Sequence, residues 1–274
     1  MSAYLRPATM TEAVAALAAQ RATVLAGGTD VFPARVGRPV EEAIVDISGL
    51  AELGGIETTE AGWRFGALAT WRDVLDADLP PLFDGLKAAA REVGGAQIQN
   101  RGTIGGNLCN ASPAADGVPN WLALDAAVEL ASVRGRRVLP VAEFVLGNRR
   151  TARVPDEILI AVHVPRPSRP GRGTFRKLGA RRYLVISIVM VAAVAEFGPD
   201  GTIAAARIAV GAASEVARRL PSLEARLVGN RPDPSLVLIE DLAPLAPIDD
   251  VRATAAYRRD AALTLIRRAI AELA

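Results

Sequence analysis

The chain is short of several residue types, and each shortage closes off a class of function. Its 274 residues include one cysteine, Cys109. One thiol forms no internal disulfide and supports no all-cysteine metal or cluster site, so no metal centre is expected within the chain. It also makes a reducing cytoplasm the expected compartment. The only histidine, His163, sits in a strand-like run ending at Pro165 and reads as structural. Lys87 and Lys177 are the only lysines, so 30 of the 32 basic residues are arginine. These are scattered, with small clusters such as Arg134/Arg136/Arg137 and Arg149/Arg150. No basic stripe interleaves with aromatics, so no nucleic-acid partner is expected. The longest apolar run, from Leu184 to Ala195, contains Ser187 and is too short to span a bilayer. No signal-peptide pattern opens the chain, and no membrane insertion is expected. Gly-x-Gly-x-x-Gly and Gly-Lys are both absent, which removes the Rossmann fingerprint and the P-loop.

What is present fits a globular protein. Half the residues are apolar, 23% are charged, and the net charge is +2. The length accommodates two or three small cores. Thr9 and Glu12 have capping-box spacing, and an alanine-rich helix is predicted from there to about Gln20. Thr23–Ala26 reads as a short buried strand that runs into Gly27-Gly28-Thr29-Asp30. Such a turn can present N–H groups to an anion, or serve as a tight strand-to-helix turn. Strands are expected at Ile44–Ile47, Trp63–Leu68 and Ile158–Val164. A hairpin is expected from Ala127–Val133 and Arg136–Val141. Thr70 with Asp73 starts a helix at Trp71. Further helices are expected at Leu82–Val93, Val118–Leu124 and Tyr257–Leu273. Thr174–Leu178, Leu184–Phe197 and Ile203–Gly211 read as an antiparallel sheet, followed by proline-broken segments. This gives three α+β units at 1–55, 56–165 and 172–274.

The run from Gln99 to Asp116 holds three glycines, three asparagines and almost no bulky side chain after Ile104. It reads as a loop that brings bare backbone up to a ligand, because glycine has no Cβ to hold a ligand off. Two such stretches about 75 residues apart, in neighbouring units, could together grip a dinucleotide pyrophosphate without any lysine. Thr29, Thr103 and Asn107 would add polar groups, and ligand sites commonly form between units.

Leu25-Ala26-Gly27-Gly28-Thr29-Asp30, followed by Thr103-Ile104-Gly105-Gly106-Asn107 and Ala111-Ser112-Pro113-Ala114-Ala115-Asp116, resembles the FAD-binding subunit of molybdenum hydroxylases. That family includes xanthine, aldehyde, nicotine and carbon monoxide dehydrogenases. The resemblance covers nearly the whole chain. It implies a two-part PCMH-type (vanillyl-alcohol-oxidase-like) FAD-binding domain followed by a C-terminal α+β domain with an antiparallel sheet. It implies that Val24, Leu25, Ala26, Gly27, Gly28, Thr29, Asp30 and Val31 wrap the pyrophosphate. Thr103, Ile104, Gly105, Gly106 and Asn107 would hold it from the other side. Asp116 would meet the adenosine ribose, with a helix N-cap as its structural alternative. Leu159 would pack near the isoalloxazine ring and Lys177 would lie at the flavin.

The resemblance also implies partners: a large molybdopterin subunit and a small [2Fe–2S] subunit, in a heterotrimer open to dimerisation. Electrons would pass from the clusters through FAD to an external acceptor. Non-covalent FAD is expected, since no histidine lies near either glycine turn, and no catalytic side chain is expected. There are departures from the family pattern. Val93 stands where an aromatic residue often packs on adenine, and Leu184-Val185 follow Arg181-Arg182 where an acid is common. Gly-Gly-Thr-Asp in place of Gly-Gly-His-Ser favours the xanthine, nicotine or aromatic-substrate branch. A flavin-free scaffold and a stand-alone flavin reductase remain as alternatives.

Overall fold

The computed structural model describes residues 3–38 and 41–274. β1 (Tyr4–Leu5), α1 (Met10–Ala19), β2 (Ala22–Leu25) and β3 (Ala43–Asp46) build a small sheet of order β1-β3-β2, parallel throughout. Thr9 starts α1, its hydroxyl accepting the Glu12 N–H at 3.2 Å, which satisfies a donor the helix cannot. The reciprocal bond differs from the capping-box expectation: Glu12 accepts from Ala8 N, not Thr9 N. Ala13 and Leu17, one turn apart, bury with Val45, Ile47 and Leu50.

The middle of the chain is longer. β4 (Ile56–Thr59) and β5 (Gly62–Gly66) precede five short helices: α2 (Trp71–Asp76), α3 (Asp84–Glu92), α4 (Ala96–Gln99), α5 (Ile104–Asn110) and α6 (Gly117–Ala123). Then come β6 (Ala127–Ser132), β7 (Gly135–Pro140), α7 (Val141–Phe144), β8 (Val145–Gly147), β9 (Arg150–Thr151) and β10 (Ile158–Pro165). Five of these strands form an antiparallel sheet, β4-β5-β10-β6-β7. β10 is central and buried on both faces from Ile158 to Val162, which explains the apolar run there. Ile158 and Ile160 pack on the core shared with α1 and β3. Leu159, Val162 and Val164 join a larger core beneath the helices. There Phe65 meets Trp121 edge-on at 5.1 Å and Trp63 meets Phe83 at 5.0 Å, a favoured aromatic geometry.

The last third is β11 (Gly171–Leu178), β12 (Val189–Phe197), β13 (Ile203–Gly211), β14 (Arg218–Arg219), α8 (Pro221–Leu227) and α9 (Ala255–Glu272). Its sheet is antiparallel in strand order. β12 also has no solvent face. Met190, Ala192 and Val194 enter the core of the middle unit, while Val189, Val191, Ala193 and Ala195 pack toward α8 and α9. Both central strands therefore act as shared walls between neighbouring cores.

Two sequence expectations need correction here. The strand expected from Leu184 begins only at Val189. Leu184 is turned with φ 50°, and Ser187 is drawn off to bond Asp116. α8 lies among the proline-broken segments because Pro221 occupies its first turn, where a missing N–H costs nothing.

Arg258 of α9 is 3% exposed and ties the third unit together. It donates to Ile188 O at 2.6 Å, Ala212 O at 2.7 Å and Asp250 Oδ1 at 2.7 Å. The backbone N–H of Arg252 is the leading cause that holds the Asp250 carboxyl down at about 2, with Arg258 and Ala253 N assisting. A carboxylate held below its unfolded value stabilises the fold above the usual Asp range, and that contribution is lost as pH falls toward 2. Asp250→Asn is therefore expected to flatten the fall of the urea midpoint between about pH 5 and about pH 2; an unchanged slope would contradict the assignment.

Candidate functional site

The site begins where two backbone segments touch. β2 runs out into Gly27, where a Cβ would stand 1.8 Å from the Arg101 carbonyl oxygen. Only glycine permits that approach. Gly28 turns the chain with φ 75°. Among the described residues, the N–H groups of Gly27, Gly28, Thr29 and Asp30 enter no hydrogen bond. Successive free N–H groups in a turn make an anion-binding concavity.

The second segment corrects an expectation. Residues 104–110 are a helix, α5, not a loop. Thr103 caps it, its hydroxyl accepting the Gly106 N–H at 3.0 Å. Ile104 N donates to Ala69 O and Gly105 N to Ala67 O, both at 2.9 Å. The first turn of α5 is thus already satisfied by the chain itself. Gly105 is glycine because a Cβ would lie 2.8 Å from Ala67. The first turn supplies the unused backbone donors, and α5 supplies a wall.

Between them lies a cavity of ≈ 750 Å³, within the roughly 300–1,000 Å³ typical of ligand sites. Its lining includes Val24, Ala26, Gly27, Gly28, Thr29, Asp30, Val31, Thr103, Gly105, Gly106, Asn107, Asp116, Leu159 and Lys177. Leu25 and Ile104 do not line it; both are buried in the hydrophobic interior. Val93 lines it, as do Val185 and Ile186 of the loop before β12. His163 lies elsewhere, bonded to Glu129 Oε2 at 2.9 Å.

The polar groups of the cavity are unevenly satisfied. Asn107 Oδ1 is buried and has no partner among the described residues. An unpaired buried acceptor is costly and wants a donor. Burial pushes the Cys109 thiol up to about 11, which leaves it protonated and inert near neutrality. Asp116 and Lys177 form one ion pair, Nζ to Oδ2 at 2.6 Å, with both side chains 7% exposed. Ser187 Oγ donates to Asp116 Oδ1 at 2.6 Å. Burial raises the Asp116 carboxyl, with Lys177 and Ser187 opposing. Asp116 makes no side-chain cap to α6, so the helix-cap alternative fails. The structure joins these two residues to each other.

Several cavity residues carry no sequence signal, and the charged Arg153 is one of them. Arg153, in the loop between β9 and β10, also lines the cavity. Its Nη1 donates to Val154 O, Pro155 O and Glu157 O at 3.3, 3.4 and 2.8 Å. Its only trace in the sequence is its place six residues before Leu159.

Free N–H groups, hydroxyls and apolar walls together suit a ligand that carries phosphate, hydroxyl groups and an apolar ring. The fold and cavity define a mixed helix–sheet, nucleotide-cofactor class of protein. Residues 1–167 match the family described as FAD binding domain in molybdopterin dehydrogenase. Residues 174–273 match the CO dehydrogenase flavoprotein C-terminal domain. The nicotine 6-hydroxylase medium subunit of Paenarthrobacter nicotinovorans is 32% identical, over 98% of this chain and 96% of the relative. A putative xanthine dehydrogenase FAD-binding subunit of Escherichia coli is 32% identical, over 99% and 95%. Carbon monoxide dehydrogenase from Hydrogenophaga pseudoflava superposes with TM-score 0.89 at 28% identity, over 99% of this chain and 96% of that one. Quinoline 2-oxidoreductase from Pseudomonas putida 86 gives 0.89 at 27%, over 100% and 96%. The chain belongs to the family of FAD-binding subunits of molybdenum hydroxylases, a family of oxidoreductase subunits.

Three substitutions test the geometry. Gly27→Ala is expected to cost more than about 2 kcal/mol in urea unfolding, since backbone must move to admit the methyl; wild-type stability would show that the two segments do not touch. Lys177→Met strands the Asp116 carboxylate and is expected to cost roughly 3 kcal/mol at neutral pH. A second substitution, Asp116→Asn, should recover part of that loss.

Proposed function

We propose that the chain seats FAD non-covalently in this cavity and relays electrons from [2Fe–2S] clusters on a small partner subunit to an external acceptor. The carrying observation is the row of four unused N–H groups of residues 27–30 along a cavity whose other wall is formed by Thr103, Gly105, Gly106 and Asn107 of the α5 segment. The turn from Val24 to Val31 holds the pyrophosphate by backbone donation. Thr103, Gly105, Gly106 and Asn107 bound it from the α5 side. Asp116, Lys177 and Leu159 complete the seat, with Leu159 giving it an apolar wall. Bound FAD supplies the redox chemistry; the chain supplies position and field. The residues 1–55 and 56–165 form the two halves of a PCMH-type binding domain, and 172–274 the C-terminal unit. A large subunit carrying molybdopterin completes the complex.

Among the relatives, several are named as medium subunits or medium chains. That naming favours a subunit of a larger enzyme over a stand-alone flavin reductase. Purified chain is expected to show a flavin spectrum and to release intact FAD on denaturation. A colourless protein that takes up no added FAD would refute the seat, and flavin retained by the precipitate would refute its non-covalent character. Co-purification with stoichiometric molybdenum and iron is expected from the native source; its absence would return the stand-alone reading.

A further inference from the structure

We infer that Arg153, rather than Lys177, supplies the uncompensated positive charge that favours the negatively charged, reduced state of the bound flavin. The inference rests on the FAD reading above and deepens it. Two cavity cations are partly or fully withdrawn from solvent, Arg153 and Lys177. Lys177 is neutralised in place, its ammonium 2.6 Å from Asp116 Oδ2. A cation paired so closely presents little net field to a ligand beside it.

Arg153 is different. Its hydrogen bonds go to three neutral carbonyls of its own loop, those of Val154, Pro155 and Glu157. No carboxylate among the described residues forms a salt bridge with it. The two acids nearest in sequence are ion-paired elsewhere, and Arg153 is the lesser of the two arginine charges felt by Asp156. Asp156 pairs with Arg134, and Glu157 pairs with Arg137 at 2.6 Å. The carbonyls fix the guanidinium without cancelling its charge. Arg21 also lines the cavity but is exposed, so water screens it.

The placement argues against the pyrophosphate as its counter-charge. Arg153 Nη1 reaches Glu157 O at 2.8 Å, two residues before the cavity-lining Leu159, and Cys109, near the far end of α5, also feels its charge. That residue lies about 9 Å along α5 from the Thr103 cap, at 1.5 Å per residue. The Gly27–Arg101 contact is at the other end of the helix. Arg153 therefore addresses a different part of the cofactor, and the ring becomes anionic when it takes up electrons. A fixed cation there raises the affinity for reduced over oxidised FAD, which is a higher midpoint potential.

The test uses the full chain loaded with FAD. Oxidised-FAD affinity is measured by flavin fluorescence, and the midpoint potential by slow reduction against a reference dye. Two neutral variants, R153Q and R153M, guard against one of them folding poorly, and R153K restores the charge. Both neutral variants are expected to lower the midpoint potential, equivalent to about tenfold weaker binding of reduced than of oxidised FAD relative to wild type, the scale of one charge-assisted hydrogen bond. R153K is expected to stay near wild type. An unchanged potential in the neutral variants would overturn the inference. So would equal weakening of both redox states, which would place Arg153 at the adenosine or diphosphate. A fall in R153K as large as in R153Q would make the guanidinium only a brace for its loop. Wild-type chain that takes up no FAD would refute the seat itself and not this assignment.

Discussion

The contact between Gly27 and the Arg101 carbonyl is the constraint on which the site depends. Without a Cβ at 27, the end of the first sheet lies directly on the chain entering α5. That contact sets the width of the cavity and the facing of the unused N–H groups. It also explains why two units with separate sheets share a ligand site. The same middle segment is held from behind by Ile104 N, Gly105 N and Trp71 N, each bonded to the partner stretch 67–71 or 102. The wall's own backbone donors are spent, while the turn beside it keeps its donors for a ligand.

Charge in the cavity follows a similar division. Asp116, Lys177 and Ser187 form a closed group in which each charged atom has a partner. This group couples the end of β11, the loop before β12 and the entry to α6. A buried pair of that kind is chiefly a specificity and positioning device, since desolvation offsets much of its attraction. Arg153 stands apart, held by carbonyl dipoles and left with its charge.

Much of the local structure was legible in sequence. β13 was read to its exact bounds as Ile203–Gly211 because it is flanked by turns. Thr70 with Asp73 forms the capping box its spacing predicts. The family was legible too, through glycine and asparagine patterns that no core requires. The failures have physical causes. α5 reads as a loop in sequence because two glycines and two asparagines depress helix propensity; the Thr103 cap and tertiary bonds to Ala67 and Ala69 override it. The strand expected from Leu184 was extended too far because apolar residues facing a cavity look like residues facing a core. Arg153 is not legible in sequence because its loop carries no motif.

By itself the amino-acid sequence determined the order of elements, the two glycine-bearing segments and the kind of ligand they suit. These depend on local propensity, on periodicity and on residues such as glycine that act through their own backbone. Only the tertiary structure decided which donors remain free, that Asp116 and Lys177 neutralise one another, and that Arg153 enters the same cavity. Those outcomes depend on groups 61 residues apart meeting at 2.6 Å, and on carbonyls that occupy one set of N–H groups while leaving another unused. Satisfaction of a polar group is a property of its neighbours in space, and a linear pattern does not contain it.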